Sequence, residues 1–366
     1  MGFVLQGVTM KETGLVRRII NRYLIDALSG MALGLFATLI VGLIIKQIGS
    51  ATGGVVGQML IQIGSIALVT TGVGIGIGVA HKLAAPNLVI YASAVTGLFG
   101  AYSGKILAGS VLVGRAVHLA GPGEPVGAFL AALVGIEIGR LVSGRTKLDI
   151  VITPMVTIIC GGMAGLFLGP PISQFMGGLG EIIIFGTRQQ PFFMGIIVST
   201  CMGIFLTLPI SSAAISIILG LKGLAAGAAT AGCAAQMVGF AVASYRENGV
   251  NGLFAQGLGT SMLQMPNIIR NPRIWIPALA ASAVGGPVAT LIFAMENNPY
   301  GGGMGTAGLV GPLMTWQTMA ASHGQYELLI KILIVHFILP AVIAILVSKW
   351  LRRMDWIKDG DMKLDA

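Results

Sequence analysis

The sequence predicts an all-α polytopic membrane protein of about ten transmembrane helices with re-entrant hairpins. Three observations predict it. The chain of 366 residues is 55% hydrophobic and only 10% charged, with a mean hydropathy of +0.89, far above a soluble domain. Charge-free runs such as Ala27–Ile45, Leu83–Gly104 and Ile274–Met295 are long enough for the roughly 20 apolar residues that cross a 30 Å hydrocarbon core. The basic residues, which give a net charge of +9, cluster at the ends of such runs, as the positive-inside rule requires. That placement removes the nucleic-acid reading that a basic soluble chain would invite.

The elements follow in order. Residues 1–28 are expected to form a cytoplasmic N-terminus. Within them Met10–Leu28 reads as an amphipathic helix on the membrane surface: Leu15, Val16, Ile19, Ile20, Tyr23 and Leu24 share one face, and Arg17, Arg18, Asn21 and Arg22 the other. No small-residue cleavage site follows, so this is not read as a signal peptide. Residues 29–350 form one transmembrane domain. Its crossings are Gly30–Ile48, Val55–Val79, Asn87–Ser103, Pro125–Leu141, Ile150–Leu168, Ile172–Gly186, Phe192–Leu208, Leu224–Ser244, Ile274–Phe293 and Glu327–Val347. This count puts the clusters Arg17–Arg22, Arg140–Lys147, Arg270–Arg273 and Lys349–Lys358 on the cytoplasmic side, with both termini. Trp350 and Trp356 mark that interface, and residues 351–366 form a cytoplasmic tail.

Four segments fit no crossing: Lys105–Pro125, Pro209–Gly223, Asn248–Arg270 and Asn297–His323 are apolar yet rich in Gly, Pro or polar residues. Irregular backbone at membrane depth survives only when buried in protein or lining a wet cavity. All four are therefore candidate re-entrant hairpins, the device by which transporters present backbone dipoles to a solute. The alternative is ordinary loops.

Charges at membrane depth are costly and mark function. Glu124 in GPGEP and Glu296 in FAMENNPYGGG sit at Gly/Pro breaks, and Glu181 follows Gly178-Leu179-Gly180. Each carboxylate can accept hydrogen bonds from hydroxyl groups, and each has a structural alternative as a cap or ion pair. Glu137 lies three residues before Arg140, a helix-face pair. Asn297, Asn298, Gln236, Ser211 and His323 complete the candidate solute-binding set, with Ser212, Gln256, Gln264 and His336 beside them; a lone histidine is more often a packing residue. No metal-ligand spacing, HExxH, GxSxG or phosphate loop occurs, so neither a metal nor another cofactor is expected. Cys160, Cys201 and Cys233 lie in apolar runs without a CxxC spacing and read as buried apolar side chains.

The ten-helix pattern with hairpins, the triplet Gly123-Glu124-Pro125 and the stretch Met295–Pro299 followed by glycines resemble the membrane subunit, enzyme IIC, of bacterial sugar phosphotransferase systems, in the branch labelled perfringolysin-regulator-like. The resemblance implies an elevator-type transporter, usually a homodimer, in which a Glu-Pro carboxylate binds sugar hydroxyls. The family's Glu-Pro motif tends to fall late in the domain, where this chain has Glu296-Asn297-Asn298-Pro299, while Glu124-Pro125 comes early; either can be the counterpart. The chain carries neither a cysteine-bearing IIB nor a histidine-bearing IIA domain, so the resemblance implies separate IIA and IIB partners and no enzyme activity of its own. The expected function is elevator transport of a small polar solute such as a sugar, in the bacterial inner membrane. The alternatives are a membrane-bound regulator or sensor of the same fold, and an ion-coupled carrier of another small metabolite.

Overall fold

The computed structural model describes residues 18–113 and 116–364. Long apolar helices dominate it: α1 (Asn21–Thr52), the bent pair α2 (Gly54–Val69) and α3 (Thr71–Lys82), α4 (Asn87–Leu107), α5 (Pro125–Val142) and α6 (Asp149–Thr187). There follow α7 (Pro191–Thr207), the short α8 (Ser212–Ile218), α9 (Gly223–Ala243), α10 (Tyr245–Phe254) and α11 (Met265–Arg270), then α12 (Pro272–Ile292), α13 (Val310–Met319) and α14 (Gln325–Arg353). Among the described residues six helices are long and apolar enough to cross a membrane, or seven when the pair α2–α3, bent by 51°, counts as one span.

The helices pack through small residues. Along α1 and the antiparallel α2–α3, Gly30 faces Gly78, Gly34 faces Gly74, Gly42 faces Gly64 and Gly49 faces Gly57. A Cβ at any of these positions would overlap the partner's backbone. In a bilayer, where lipid is as apolar as a side chain, such close backbone approach is what gives one helix a reason to prefer another.

One end of the bundle is basic. There Arg22 pairs with Glu137 at 2.5 Å, Arg140 donates to the Leu83 carbonyl, and the first turns of α1 touch α11. Arg352 at the end of α14 pairs with Glu247 after α9. The first and last described helices thus begin and end on the same side. Residues 21–28 are not a separate surface helix but the opening turns of α1; the rest of the expected interfacial helix, 10–17, lies outside the described residues.

One expected turn is corrected here. The hairpin drawn at Gly169-Pro170-Pro171 does not form, and α6 runs through it as one 39-residue helix, about 58 Å long at 1.5 Å per residue. Prolines are tolerated there because neighbouring helices re-satisfy freed backbone groups. It packs on α4 and α5 with its first half and on α7 with its last turns, so it joins the two halves of the molecule as a strut. Within segment 105–125, Leu112–Val113 pairs with Ala116–Val117 in a small antiparallel hairpin, and Val117 is 62% exposed.

The other three irregular segments do return on themselves. α7 starts beside α12, where Thr290 donates to the Pro191 carbonyl, and ends beside the middle of α9, where Thr207 bonds Gln236. The chain then climbs back through α8 to Gly223, whose backbone pairs with Asn297. Residues 297–319 descend from that level to Thr306 and return along α13. Residues 248–264 enter from the basic end. Their tip meets the other two: Thr306 donates to the Gly257 carbonyl, and Thr207 and Ser261 hydroxyls lie 2.8 Å apart.

Residues 356–364, within the stretch 351–366 expected as a cytoplasmic tail, fold under this last hairpin. Met362 and Ile357 are buried, and the amides of Asn248, Gln264, Asn267 and Asn271 donate to carbonyls of Met362, Met362, Lys363 and Trp356 respectively.

Candidate functional site

Residues 120–124 fold as they do because α4 holds them. Glu124 N–H donates to the Ala101 carbonyl at 2.8 Å, the Tyr102 hydroxyl donates to the Gly121 carbonyl, and Lys105 Nζ donates to the Ala120 carbonyl at 2.8 Å. Gly123 has φ +72 and packs against Ala101 so closely that a Cβ would clash, which makes glycine the one residue that fits both demands. Pro125 then starts α5 with a preset φ. Glu124 becomes the helix cap, but a weak one: Val126 N–H reaches its Oε1 at 3.5 Å. Most of the carboxylate's accepting capacity is left for something else.

That carboxylate lines a cavity of about 570 Å³, within the size range of small-molecule sites. Ser103, Lys105 and Gly127 of α4 and α5 form one wall with it, Ile172, Met176 and Gly180 of α6 the second, and Ser211, Ile215 and Leu219 of the α7–α8 hairpin the third. The lining is mainly apolar, with a carboxylate, an ammonium group and two hydroxyls. It can accept and donate hydrogen bonds to a polyol while covering its C–H faces.

A second polar cluster lies where the hairpin tips meet. Gln236 is fully buried. Its Oε1 accepts from Thr207 at 3.1 Å and from Trp275 Nε1 at 2.7 Å, and its Nε2 donates to Ser282 at 3.0 Å. Its amide is thus engaged from both ends, which suits a structural pin.

The structure brings two of the expected residues, Glu124 and Ser211, to one cavity and scatters the others. Glu181 is exposed on α6, one residue past the cavity wall at Gly180. Glu296 is exposed. Asn297 is buried and its amide donates to Thr230, Gly311 and Thr315. Asn298 caps the turn after it, accepting from the backbone of Tyr300 and Gly301. His323 bonds its neighbour Ser322. His336 is fully buried, and neither of its ring nitrogens has a partner among the described residues. Gln256 and Gln264 bond each other under the lower hairpin. Glu137, read as structural, pairs with both Arg22 and Arg140.

Sequence reasoning missed Lys105 and Ser103. Lys105 was legible only as an end-of-helix charge; its place beside Glu124 depends on the loop folding back over α4. Trp275 was missed for the same kind of reason, since its indole N–H finds Gln236 across two helices.

A family model described as "Phosphotransferase system, EIIC" matches residues 25–364, from the first turns of α1 to the docked C-terminal segment. Among curated proteins, none matches the chain in sequence. The matched region takes in every span and all three hairpins, so the likeness is one of the whole fold rather than of a motif, and this chain belongs to the phosphotransferase-system EIIC family, the sugar-specific membrane components of those transport systems.

Proposed function

We propose that this protein carries a sugar across the bacterial inner membrane by an elevator motion, with the Glu124 cavity as its solute site. The observation that supports this reading is that the cavity's walls belong to different parts of the molecule. Glu124 and Lys105 ride on the α4–α5 unit, and Ser211 rides on a re-entrant hairpin. A solute bridging them is held at the seam across which one part would slide past the other. Glu124 accepts from sugar hydroxyls, Lys105 and Ser211 donate, and α1–α5 act as the scaffold of a homodimer. The basic end faces the cytoplasm with both termini, where separate IIA and IIB proteins supply the phosphoryl group. The test is a thermal-shift panel of unphosphorylated mono- and disaccharides on purified wild-type protein and on Glu124→Gln, since a bound ligand stabilises by mass action. At least one sugar should raise the wild-type melting temperature and leave that of Glu124→Gln unmoved. A panel in which no sugar stabilises the wild type, or in which the variant responds equally, overturns the reading.

A further inference from the structure

At the basic end, the last turns of α14 and the end of α9 enclose a groove of about 460 Å³ lined by Val242, Ile345, Arg246, Lys349, Arg352 and Arg353. The four cations differ in kind. Arg352 is committed: it bonds Glu247 and Asp359, each at 2.9 Å. Arg246, Lys349 and Arg353 are exposed, and none of the three has an ion-pair or hydrogen-bond partner among the described residues.

The groove continues into the lipid-facing surface. Val342, Leu346, Lys349 and Arg353 follow a spacing of four, three and four, which is one stripe of an α-helix. Val342 is 48% and Leu346 62% exposed, so the stripe is apolar towards the middle of the span and cationic at its end. Trp350 and Trp356, both exposed, stand at the level of the charges, the position that indole rings take at a membrane interface.

We propose that this groove is a binding site for one anionic phospholipid. Its phosphate is held by Arg246, Lys349 and Arg353, and an acyl chain lies along Val342 and Leu346. Charge complementarity argues for that occupant: three unpaired cations need an anion, and the apolar stripe below them needs a ligand with a hydrocarbon part, which a soluble anion lacks. Basic pockets between helices at such an end are suited to lipid headgroups. The site is remote from the Glu124 cavity and stands whichever solute that cavity takes.

The experiment compares full-length protein purified in a neutral detergent and titrated with phosphatidylglycerol, with phosphatidylcholine and with inorganic phosphate, read by native mass spectrometry and melting temperature. Phosphatidylglycerol should be retained and stabilise the protein, in a salt-sensitive manner, while phosphatidylcholine and phosphate at equal concentration do neither. The triple substitution Arg246→Gln, Lys349→Gln, Arg353→Gln should weaken phosphatidylglycerol retention roughly a hundredfold, about a fivefold loss for each of the three cations removed. Equal retention of the two lipids overturns the proposal on wild-type protein alone. Stabilisation by inorganic phosphate makes the groove a site for a soluble anion and overturns it too, as does a folded triple variant that still prefers phosphatidylglycerol.

Discussion

Thr306 and Gly257, 49 residues apart, meet through a 2.6 Å hydrogen bond from hydroxyl to carbonyl. Each is at the tip of a hairpin, and the two hairpins enter from opposite ends of the bundle. Where both spans are interrupted, this bond closes the gap between them. Thr306 is fully buried, so the exchange with water that weakens a surface hydrogen bond is absent here.

Thr306→Val keeps the shape and removes the donor. The net loss should be about 1–3 kcal/mol, the range for stranding a buried acceptor. Hydrogen exchange should rise at 257–261 and 304–309 and stay unchanged in α4 and α5. Uniform loosening of the whole chain, or none, would show that the tips are not held to each other by this bond.

Glu124→Gln and Glu137→Gln should separate a solute contact from a structural one. A charge-assisted hydrogen bond lost at Glu124 costs about 1.5–3 kcal/mol of binding, or roughly tenfold to a hundredfold in sugar affinity, with the melting temperature of the free protein little changed. Glu137 has side-chain exposure of 34% and Arg22 31%, so solvent screens the pair and its loss should cost no more than about 1 kcal/mol of stability. Isothermal titration and thermal melting on both variants check the contrast. A reversed pattern sinks the assignment of Glu124 to the solute.

Asn297 and Glu296 are neighbours with opposite expected outcomes. Asn297→Ala removes an amide shared by Thr230, Gly311 and Thr315 and should destabilise the protein by about 2–3 kcal/mol, two or more buried hydrogen bonds at roughly 1 kcal/mol each. Glu296 is exposed, and Glu296→Gln should move neither stability nor sugar affinity. Loss of binding in Glu296→Gln with the fold intact would return the site to the MENNP stretch.

Deletion of residues 356–366 should loosen the lower hairpin. It strips acceptors from Asn248, Gln264, Asn267 and Asn271 and uncovers Ile268 and Ile274, which pack against Ile357 and Met362. Protease cleavage within 245–270 should speed up several-fold, while the spans α1 to α5 keep their resistance. Unchanged cleavage would mean that the segment lies on the hairpin without holding it.

The orientation is tested by labelling single cysteines introduced at Thr52 and Arg145, both exposed and at opposite ends of α1–α5. In intact cells an impermeant maleimide should modify position 52 and spare position 145. The reverse would put the basic end outside.

Legibility in the sequence differed from element to element. The pair Pro191–Thr207 and Pro209–Gly223 shows the limit well. Both the apolar run and the Gly/Pro-rich stretch are plain in the residues, but by its residues the first, as Phe192–Leu208, reads as a full crossing. In the structure the two are arms of one hairpin, because Thr207 finds Gln236 part-way along α9 and Ser261 at the tip of the hairpin that enters from the basic end. The break at Pro170-Pro171 erred the other way. Two prolines there read as a turn, yet helix continues where packing partners flank both halves. Merging that hairpin into one span, and folding α7 into a re-entrant arm, removed two crossings together, which is why the first and last helices still share an end.

The sequence by itself determined the class of this protein, the positions of most spans, the family it resembles and the four segments that fit no regular crossing. These are local properties: hydropathy over about 20 residues, charge at the ends of runs, and Gly or Pro where a helix cannot run smoothly. The tertiary structure alone decided which polar residues share a cavity. Glu124 and Glu296 have the same local chemistry, a carboxylate beside a Gly/Pro break. One lines a cavity with Lys105 and Ser211, and the other is exposed. The difference is made by contacts between helices far apart in the chain, Ala101 holding Glu124 and Gly223 holding Asn297, and no spacing within a single sequence encodes which distant backbone a residue will meet.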